Sequence, residues 1–224
     1  SSFGKIRVDG EGALNFLQEI CTAQINIQIG RIVYTQMLNE KGGIESDLTI
    51  SRLADKSFLL VVPCATLQRD LSYLNRKNNS NEVMIIDISS SEGVLSIMGP
   101  NSRNLLECVS PNNFSNSAHP FGTWKNIEIG SGLARAHRVS YVGELGWEIY
   151  ISSDQCAHVF EEAEVSLSDL SLQALEVAKI NIDRFGLKER VSVHLSDLFD
   201  DILCTKFDLI VANPPYVDDK DFAN

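Results

Sequence analysis

The chain has 224 residues, enough for one large or two small domains, and its 44% hydrophobic content is that of an ordinary globular protein. Its formal net charge of −11 argues against a nucleic-acid partner, because phosphate backbones are bound by clustered Lys and Arg. No apolar run approaches the roughly 20 residues of a membrane helix, so no membrane partner is expected. Five widely spaced cysteines and no secretion signal indicate reduced thiols in the cytoplasm, or in a mitochondrial matrix.

The first part of the chain is predicted to combine short strands with amphipathic helices. A strand-like run at 5–8 precedes a helix at 11–21, whose apolar residues lie on one face (Ala13, Phe16, Leu17 and Ile20). Two strand-like runs, at 31–38 and 43–53, are joined by the hairpin signal Asn-Glu-Lys-Gly-Gly, and another strand follows at 57–62. These strands therefore follow one another through a hairpin and not through a helix.

The middle of the chain keeps this mixed pattern. Its predicted elements are a helix at 66–77, strands at 83–88 and 93–99, a helix at 102–109, a β-rich stretch at 127–151 and a helix at 154–164. Gly143 and Gly146 are interpreted as turn points of the β-rich stretch. Because no regular β-α-β rhythm is present, the predicted fold class is α+β.

The pattern changes near residue 163. Residues 165–170 indicate a strand, and Ser171 can cap a helix that Gly186 ends. Two further strand-like runs follow, so the tail is predicted to have the order β-α-β-β. No linker rich in Pro, Gly or Ser separates the two regimes. We therefore predict two regions, 1–162 and 163–224.

Several strings in the first region carry a family resemblance. "YTQMLNEKGGIESDLTISRL", "GVLSIMGPNSRNLL" and "RVSYVGELGWEIYI" occur in order. On these strings the region resembles part of the tetrahydrofolate-binding aminomethyltransferase family, most of all the folate region of dimethylglycine and sarcosine dehydrogenases, and more distantly the glycine cleavage T-protein. The resemblance implies an incomplete folate module in which N5 of tetrahydrofolate attacks a methylene iminium or a bound aminomethyl group. The implied partners are a small-molecule amine, folate and a flavin-dependent dehydrogenase portion outside this chain.

The resemblance also implies roles for five residues. Asp47 in "ESDLTI" matches the acidic residue beside the developing cation, since an anion held close in a dry pocket stabilises positive charge. Glu148 in "GELGWEIY" matches the glutamate that accepts the paired N–H donors of the pterin edge. Tyr34 and Tyr141 match aromatic neighbours of the pocket, and Asn39 would also line it. An arginine that the family uses after residue 162 has no counterpart.

Ordinary structural roles are open for the same residues. Asp47 alternates with Leu48 and can simply lie on the solvent side of a strand. Glu148 can belong to an ordinary hairpin, and tyrosines on strands are usually half-buried in packing. The four histidines have no metal-ligand spacing, so no metal is expected (His119, His137, His158 and His194).

The second region resembles a different family. "LSDLSLQALEVAKINIDRFG" and "FDLIVANPPYV" are similar to peptide-glutamine N5-methyltransferases that use S-adenosylmethionine, in particular those acting on ribosomal protein L3. The resemblance implies that Asn213 and the Pro214 carbonyl accept hydrogen bonds from the target amide, which aligns its nitrogen with the methyl carbon. In the same motif Pro215 precedes Tyr216, which would pack against the target. Two acidic residues match those that contact the ribose and adenine of the methyl donor (Asp169 and Asp197).

The loop that would hold S-adenosylmethionine is missing from its expected place. It should follow a first strand in the pattern acidic-x-Gly-x-Gly-x-Gly, about 20 residues before the acidic residue of the second strand. Two glycine-containing runs, 8–14 and 128–134, lie in the wrong context. Without its first strand, the strand before Asn213 lacks a neighbour. We therefore expect a truncated Rossmann-like α/β fragment that does not bind the methyl donor.

Three functional hypotheses remain open. The first is a tetrahydrofolate-dependent one-carbon transfer module of an amine dehydrogenase or aminomethyltransferase. The second is an S-adenosylmethionine-dependent glutamine methyltransferase whose front half has been replaced. The third is a composite of two gene fragments without native activity, which the abrupt join and the absent initiator Met favour. Residue count and motif completeness favour the first hypothesis over the second.

Overall fold

The computed structural model describes residues 3–156, 165–169, 171–184, 186, 188–189 and 191–196. The predicted helix at 154–164 lies almost wholly outside these residues. The same is true of Asp197, the last strand of the tail and the Asn213–Tyr216 motif. Within the described ranges, no helix is long and apolar enough to cross a bilayer.

The first half of the chain forms a five-stranded antiparallel sheet, here called sheet A. Its strands are β1 (Phe3–Asp9), β2 (Ile32–Leu38), β3 (Ile44–Ala54), β4 (Ser57–Pro63) and β5 (Met84–Asp87), in the order β2-β3-β4-β1-β5. Two helices, α1 (Ala13–Ile20) and α2 (Leu67–Lys77), pack on one face of it. The predicted apolar face of α1 is confirmed, because its four residues are the buried ones of the helix.

A tight turn joins β2 and β3 and fixes their register. The Gly43 carbonyl accepts a hydrogen bond from Asn39 N at 2.9 Å, and Gly42 adopts a positive φ of 77°. Such a φ is open to glycine at little cost, which explains the Gly-Gly pair in the sequence. The hairpin pairs Gln36 with Asp47 and Tyr34 with Thr49.

The second half forms a four-stranded antiparallel sheet, here called sheet B. Its strands are β6 (Glu92–Met98), β7 (Trp124–Ile129), β8 (Gly132–His137) and β9 (Gly146–Ser152), in the order β6-β9-β8-β7. Helix α3 (Ser102–Val109) covers one face, where Leu106, Phe114 and Trp147 form a core. Gly143 is a turn point with φ 75°, but Gly146 is the first residue of β9 and not a turn point. A Cβ at Gly146 would clash with the side chain of Met98.

The two sheets contact each other through their other faces. Leu59 and Val61 of β4 alternate with core residues of sheet A and pack against Tyr150 of β9. The indole Nε1 of Trp124 donates to the Arg52 carbonyl at 2.9 Å, which adds a polar tie between the sheets. The contact buries β9 on both faces.

The tail begins with a parallel β-α-β unit, as predicted. Strands β10 (Val165–Asp169) and β11 (Val191–Leu195) pair in parallel as a separate two-stranded sheet, with helix α4 (Leu172–Arg184) between them in sequence. The Ser171 hydroxyl accepts from Ala174 N at 3.3 Å, which confirms the predicted cap. Gly186 has φ 68°, as expected of the residue that ends a helix.

The glycine run at 8–14 is a close-packed turn. Gly10 has φ 125°, and a Cβ placed there would lie 2.0 Å from the backbone oxygen of Glu82. Gly10 N also donates to the Lys56 carbonyl at 3.0 Å. Glycine is therefore required at position 10, where the turn between β1 and α1 packs against the backbone of Glu82.

We expect Gly10→Ala to destabilise the fold by about 2–4 kcal/mol, because it combines an unfavourable φ with a clash against backbone. Gly42→Ala is the matched control, since its φ is also positive but no atom lies within 4 Å of the added Cβ. That control should cost about 1–2 kcal/mol. Urea unfolding measures both changes, and equal losses for the two variants would contradict the packing role of Gly10.

Candidate functional site

A buried carboxylate, that of Glu148, lies in the layer between the two sheets. It belongs to β9, and its side chain is on the same face as Tyr150, opposite the core residue Trp147. Glu148 is only 6% exposed, and burial raises the pKa of its carboxyl group. The Tyr150 hydroxyl donates to Oε2 at 2.8 Å, which favours the ionised form and partly offsets that rise.

The neighbouring strands place a second polar pair, Arg135 and Glu92, beside Glu148 and Tyr150. Arg135 forms an ion pair with Glu92, in which Nη2 donates to both carboxylate oxygens, at 2.9 and 2.8 Å. The guanidinium also lies over the Tyr150 ring, 5.4 Å from its centre. The positive charge of Arg135 is therefore paired with Glu92 and does not form an ion pair with Glu148.

His137 connects this polar layer to sheet A. It pairs with Glu148 across β8 and β9, and its ring lies against that of Tyr150, tilted by 32° with centres 4.2 Å apart. Burial lowers the pKa of His137 well below its usual value, so the ring is neutral at pH 7. Because Arg135 Nε can only donate to its Nε2, at 3.1 Å, Nδ1 carries the proton and faces Ser51 Oγ at 3.4 Å.

The hairpin of sheet A presents Asp47 and Tyr34 on the same side. Asp47 is exposed while Leu48 is buried in the core, so the predicted alternation is confirmed. Gln36 Nε2 donates to Asp47 Oδ1 at 3.3 Å, and the nearby carboxylate raises the pKa of Tyr34. Tyr34 is 62% exposed, so it is not half-buried packing.

Strand β3 links the exposed carboxylate to the buried one. Asp47, Thr49 and Ser51 alternate with core residues and therefore share one face of sheet A. Ser51 lies under His137, which is paired with Glu148. These three side chains form a row along β3, and the four residues from Asp47 to Ser51 span about 13 Å. The row therefore leads from solvent to the buried layer without bringing Asp47 and Glu148 into contact.

The other two residues of the predicted folate site are placed differently. Asn39 is occupied by the hairpin turn, where its oxygen accepts from Lys41 N and Gly43 N and its amide donates to Glu45 at 2.9 Å. It also borders a cleft of about 270 Å³ that is lined by Cys21 and Tyr73. Tyr141 lies in the loop before β9, not on a strand, and is 60% exposed. Its ring meets Phe3 edge-on, 6.4 Å between centres.

Only one of the predicted methyl-donor residues lies in the described part of the chain. Asp169 is exposed at the end of β10, and its Oδ1 accepts from Ser171 N at 2.7 Å. The carboxylate thus supports the start of α4. Asp197, Asn213, Pro214, Pro215 and Tyr216 lie outside the described residues.

Sequence reasoning missed the partners of Glu148. Tyr150 stands two residues further along a predicted strand, so period-two alternation could have placed both side chains on one face. His137, Arg135 and Glu92 come from other strands, and their approach depends on pairing that the local sequence does not specify.

Two family models match the chain. The model described as GCVT N-terminal domain matches residues 1–179, and the model described as Methyltransferase small domain matches residues 150–224. The two matches overlap at 150–179, and the predicted boundary at 162 falls within this overlap. That boundary stays a prediction.

Several curated proteins are similar to the first region. The 4-methylaminobutanoate oxidase (formaldehyde-forming) of Paenarthrobacter nicotinovorans is 38% identical over 77% of this chain and 21% of its own length. Mitochondrial sarcosine dehydrogenase of Mus musculus is 37% identical over 71% of this chain and 19% of its own. Aminomethyltransferase of Halothermothrix orenii is 34% identical over 77% and 48%. The chain thus spans about a fifth of the first two relatives and about half of the third.

Two solved structures have the same fold at low identity. Glycine cleavage system aminomethyltransferase T from Bartonella henselae aligns with a TM-score of 0.58 and 23% identity, covering 86% of this chain and 45% of that one. Heterotetrameric sarcosine oxidase from Corynebacterium sp. U-96 aligns with a TM-score of 0.54 and 14% identity, covering 71% and 76%. With a family model that matches residues 1–179, and with this antiparallel two-sheet fold, the chain belongs to the GCVT N-terminal domain family of aminomethyltransferases.

Proposed function

We propose that the first region is a tetrahydrofolate-dependent one-carbon transfer module, of the kind found in an amine dehydrogenase or an aminomethyltransferase. Membership of the aminomethyltransferase family and similarity to a sarcosine dehydrogenase support this proposal. Tetrahydrofolate would supply the nucleophilic nitrogen that takes up the one-carbon unit. The residues of the chain bind the pterin, orient it and stabilise positive charge beside it.

The observation that carries the proposal is the state of the Glu148 carboxylate. Its Oε2 is held by Tyr150, while Oε1 accepts no hydrogen bond from the described part of the chain. Oε1 is also not among the fully buried side-chain atoms that lack a hydrogen-bond partner in that part of the chain, so it keeps some accessible surface. A largely buried carboxylate is costly unless donors satisfy it. The adjacent N–H groups of a pterin edge are donors of the required kind.

Asp47 would act at the other end of the row. Its carboxylate is oriented by Gln36 and lies beside Tyr34, on the face that leads to Glu148. A ligand seated along this face would exclude water from Asp47 and strengthen its interaction with an iminium cation. We propose that Asp47 is the catalytic carboxylate, that Tyr34 borders the reacting group, and that Tyr141 and Asn39 lie at the rim.

We expect the wild-type chain to bind tetrahydrofolate in calorimetric titration, and Glu148→Gln to weaken that binding by about 10- to 100-fold. The change removes the charge that strengthens the pterin hydrogen bonds, an effect of roughly 1.5–3 kcal/mol. Glu128→Gln is the matched control, because Glu128 is an exposed carboxylate on edge strand β7. Absence of binding to the wild type, or equal binding by both variants, would contradict the proposal.

Asp47→Asn should lower the pKa of Tyr34, because the carboxylate is the main cause that raises it. Removing a nearby negative charge makes formation of the phenolate easier. The ultraviolet titration of tyrosinate measures the change, and Tyr34→Phe identifies which transition belongs to this residue. An unchanged Tyr34 titration in Asp47→Asn would show that the two groups do not interact in solution.

A second proposal concerns the tail. We propose that residues 163–224 derive from an S-adenosylmethionine-dependent glutamine methyltransferase, without the first strand and glycine loop that would hold the methyl donor. The Methyltransferase small domain match and the parallel β-α-β unit support this origin. Asp169, the one acidic donor-site residue in the described part of the chain, accepts a hydrogen bond from Ser171 N in the turn between β10 and α4. A chain composed of two gene fragments would account for both family matches.

We expect no binding of S-adenosylmethionine in a titration of the same preparation that binds tetrahydrofolate, because the backbone amides of a glycine loop are missing before β10. Tetrahydrofolate binding serves as the internal control for folded protein. A micromolar Kd for S-adenosylmethionine, lost on Asp169→Ala, would instead favour the methyltransferase hypothesis.

The remaining partners follow from the first proposal. We propose that a flavin-dependent dehydrogenase portion generates the iminium from a small-molecule amine, since the oxidase and sarcosine dehydrogenase relatives extend far beyond the matched region. A cytoplasmic or mitochondrial-matrix location is proposed on the same grounds. One sarcosine dehydrogenase relative is described as mitochondrial.

A further inference from the structure

The Tyr150 hydroxyl has a single described partner, the carboxylate of Glu148. Both side chains project from the same face of β9, two residues apart, and the O–O distance is 2.8 Å. Tyr150 is 2% exposed, and its ring packs against Leu59 and Val61 of sheet A and against His137. A hydroxyl on so constrained a ring can hold a carboxylate oxygen in one place.

The charged groups around this pair do not replace the tyrosine. On β8, Arg135 directs its guanidinium to Glu92 of β6, and His137 is neutral. From β1, Lys5 acts electrostatically on Glu92. On sheet A the facing side chains are Ser51 and the apolar residues of β4. Within the described residues, the one hydrogen bond to the Glu148 carboxylate comes from Tyr150.

We propose that Tyr150 is a positioning residue, which fixes Oε2 of Glu148 so that the carboxylate presents its free lone pairs to the pterin edge. This inference rests on the proposed folate site. A carboxylate offers about four lone-pair positions, so one bond from Tyr150 leaves room for two pterin N–H donors. The fixed tyrosine removes the rotational freedom that Glu148 would otherwise lose on binding.

The same bond controls when Glu148 is charged. Burial raises the pKa of Glu148, and the Tyr150 hydrogen bond opposes that rise. Removing the hydroxyl therefore raises the carboxyl pKa further. Pterin N–H groups need the ionised carboxylate, so folate affinity is present above this pKa and is lost as pH falls through it. In Tyr150→Phe the loss should begin at a higher pH.

The test is tetrahydrofolate affinity as a function of pH in the full chain. We expect Tyr150→Phe to weaken binding by about tenfold near neutral pH, as the loss of one charge-assisted hydrogen bond predicts, and to move the acid limb of the profile upward. Ser46→Ala is the matched control, because its buried hydroxyl also donates to a carboxylate, Asp70 Oδ2 at 2.8 Å, on the core side of β3 opposite Ser51. It should leave both affinity and profile unchanged.

Each other result overturns a distinct claim. Wild-type binding with an unaltered Tyr150→Phe profile, or a uniform loss at every pH, overturns the positioning role while the proposed function stands. Failure of the wild type to bind overturns the proposed function and this inference with it. If Tyr150→Phe does not fold, the double variant Glu148→Gln/Tyr150→Phe replaces it in the test, because it buries no charged carboxylate at this position.

A tetrahydrofolate affinity of the double variant equal to that of Glu148→Gln supports the view that Tyr150 acts through Glu148. A lower affinity of the double variant overturns that view.

Discussion

The layer between the two sheets must accommodate a carboxylate among apolar and aromatic side chains. Glu148 is held there by the Tyr150 hydroxyl, and the ring of that tyrosine is itself fixed by β4 and His137. Arg135 forms its ion pair with Glu92, so its positive charge does not neutralise the Glu148 carboxylate. One carboxylate oxygen is thus left for a donor that the described residues do not supply. Both the proposed ligand and its orientation depend on this arrangement.

The rest of the first region can be understood as support for that layer. Strand β4 is buried on both faces, with one face in the core of sheet A and the other against Tyr150. Strand β3 carries Ser51 beneath His137 and Asp47 at the exposed end of the same row. The hairpin register that pairs Gln36 with Asp47 therefore determines which residues stand beside the outer carboxylate.

Local signals in the sequence were sufficient for most elements. The period of α1, the Gly-Gly turn before β3 and the Ser171 cap each depend on neighbouring residues, and the structure confirms all three. The surroundings of Glu148 could not be predicted in this way. A glutamate on a strand is normally exposed, and its burial results from packing of a second sheet brought together from distant residues. Asn39 differs, because its hydrogen bonds to Lys41 N and Gly43 N are made within the turn and can be expected from the local sequence. Whether Asn39 lies near a ligand cannot be predicted in that way.

A crystal structure of the full chain with tetrahydrofolate tests the central claim most directly. The account expects the pterin edge within about 3 Å of the Glu148 carboxylate, in hydrogen-bond contact, with the reduced ring extending along the face that carries Asp47. The cleft of about 270 Å³ lined by Cys21, Asn39 and Tyr73 is the competing location. Folate bound in that cleft, with Glu148 contacting only Tyr150, would contradict the account.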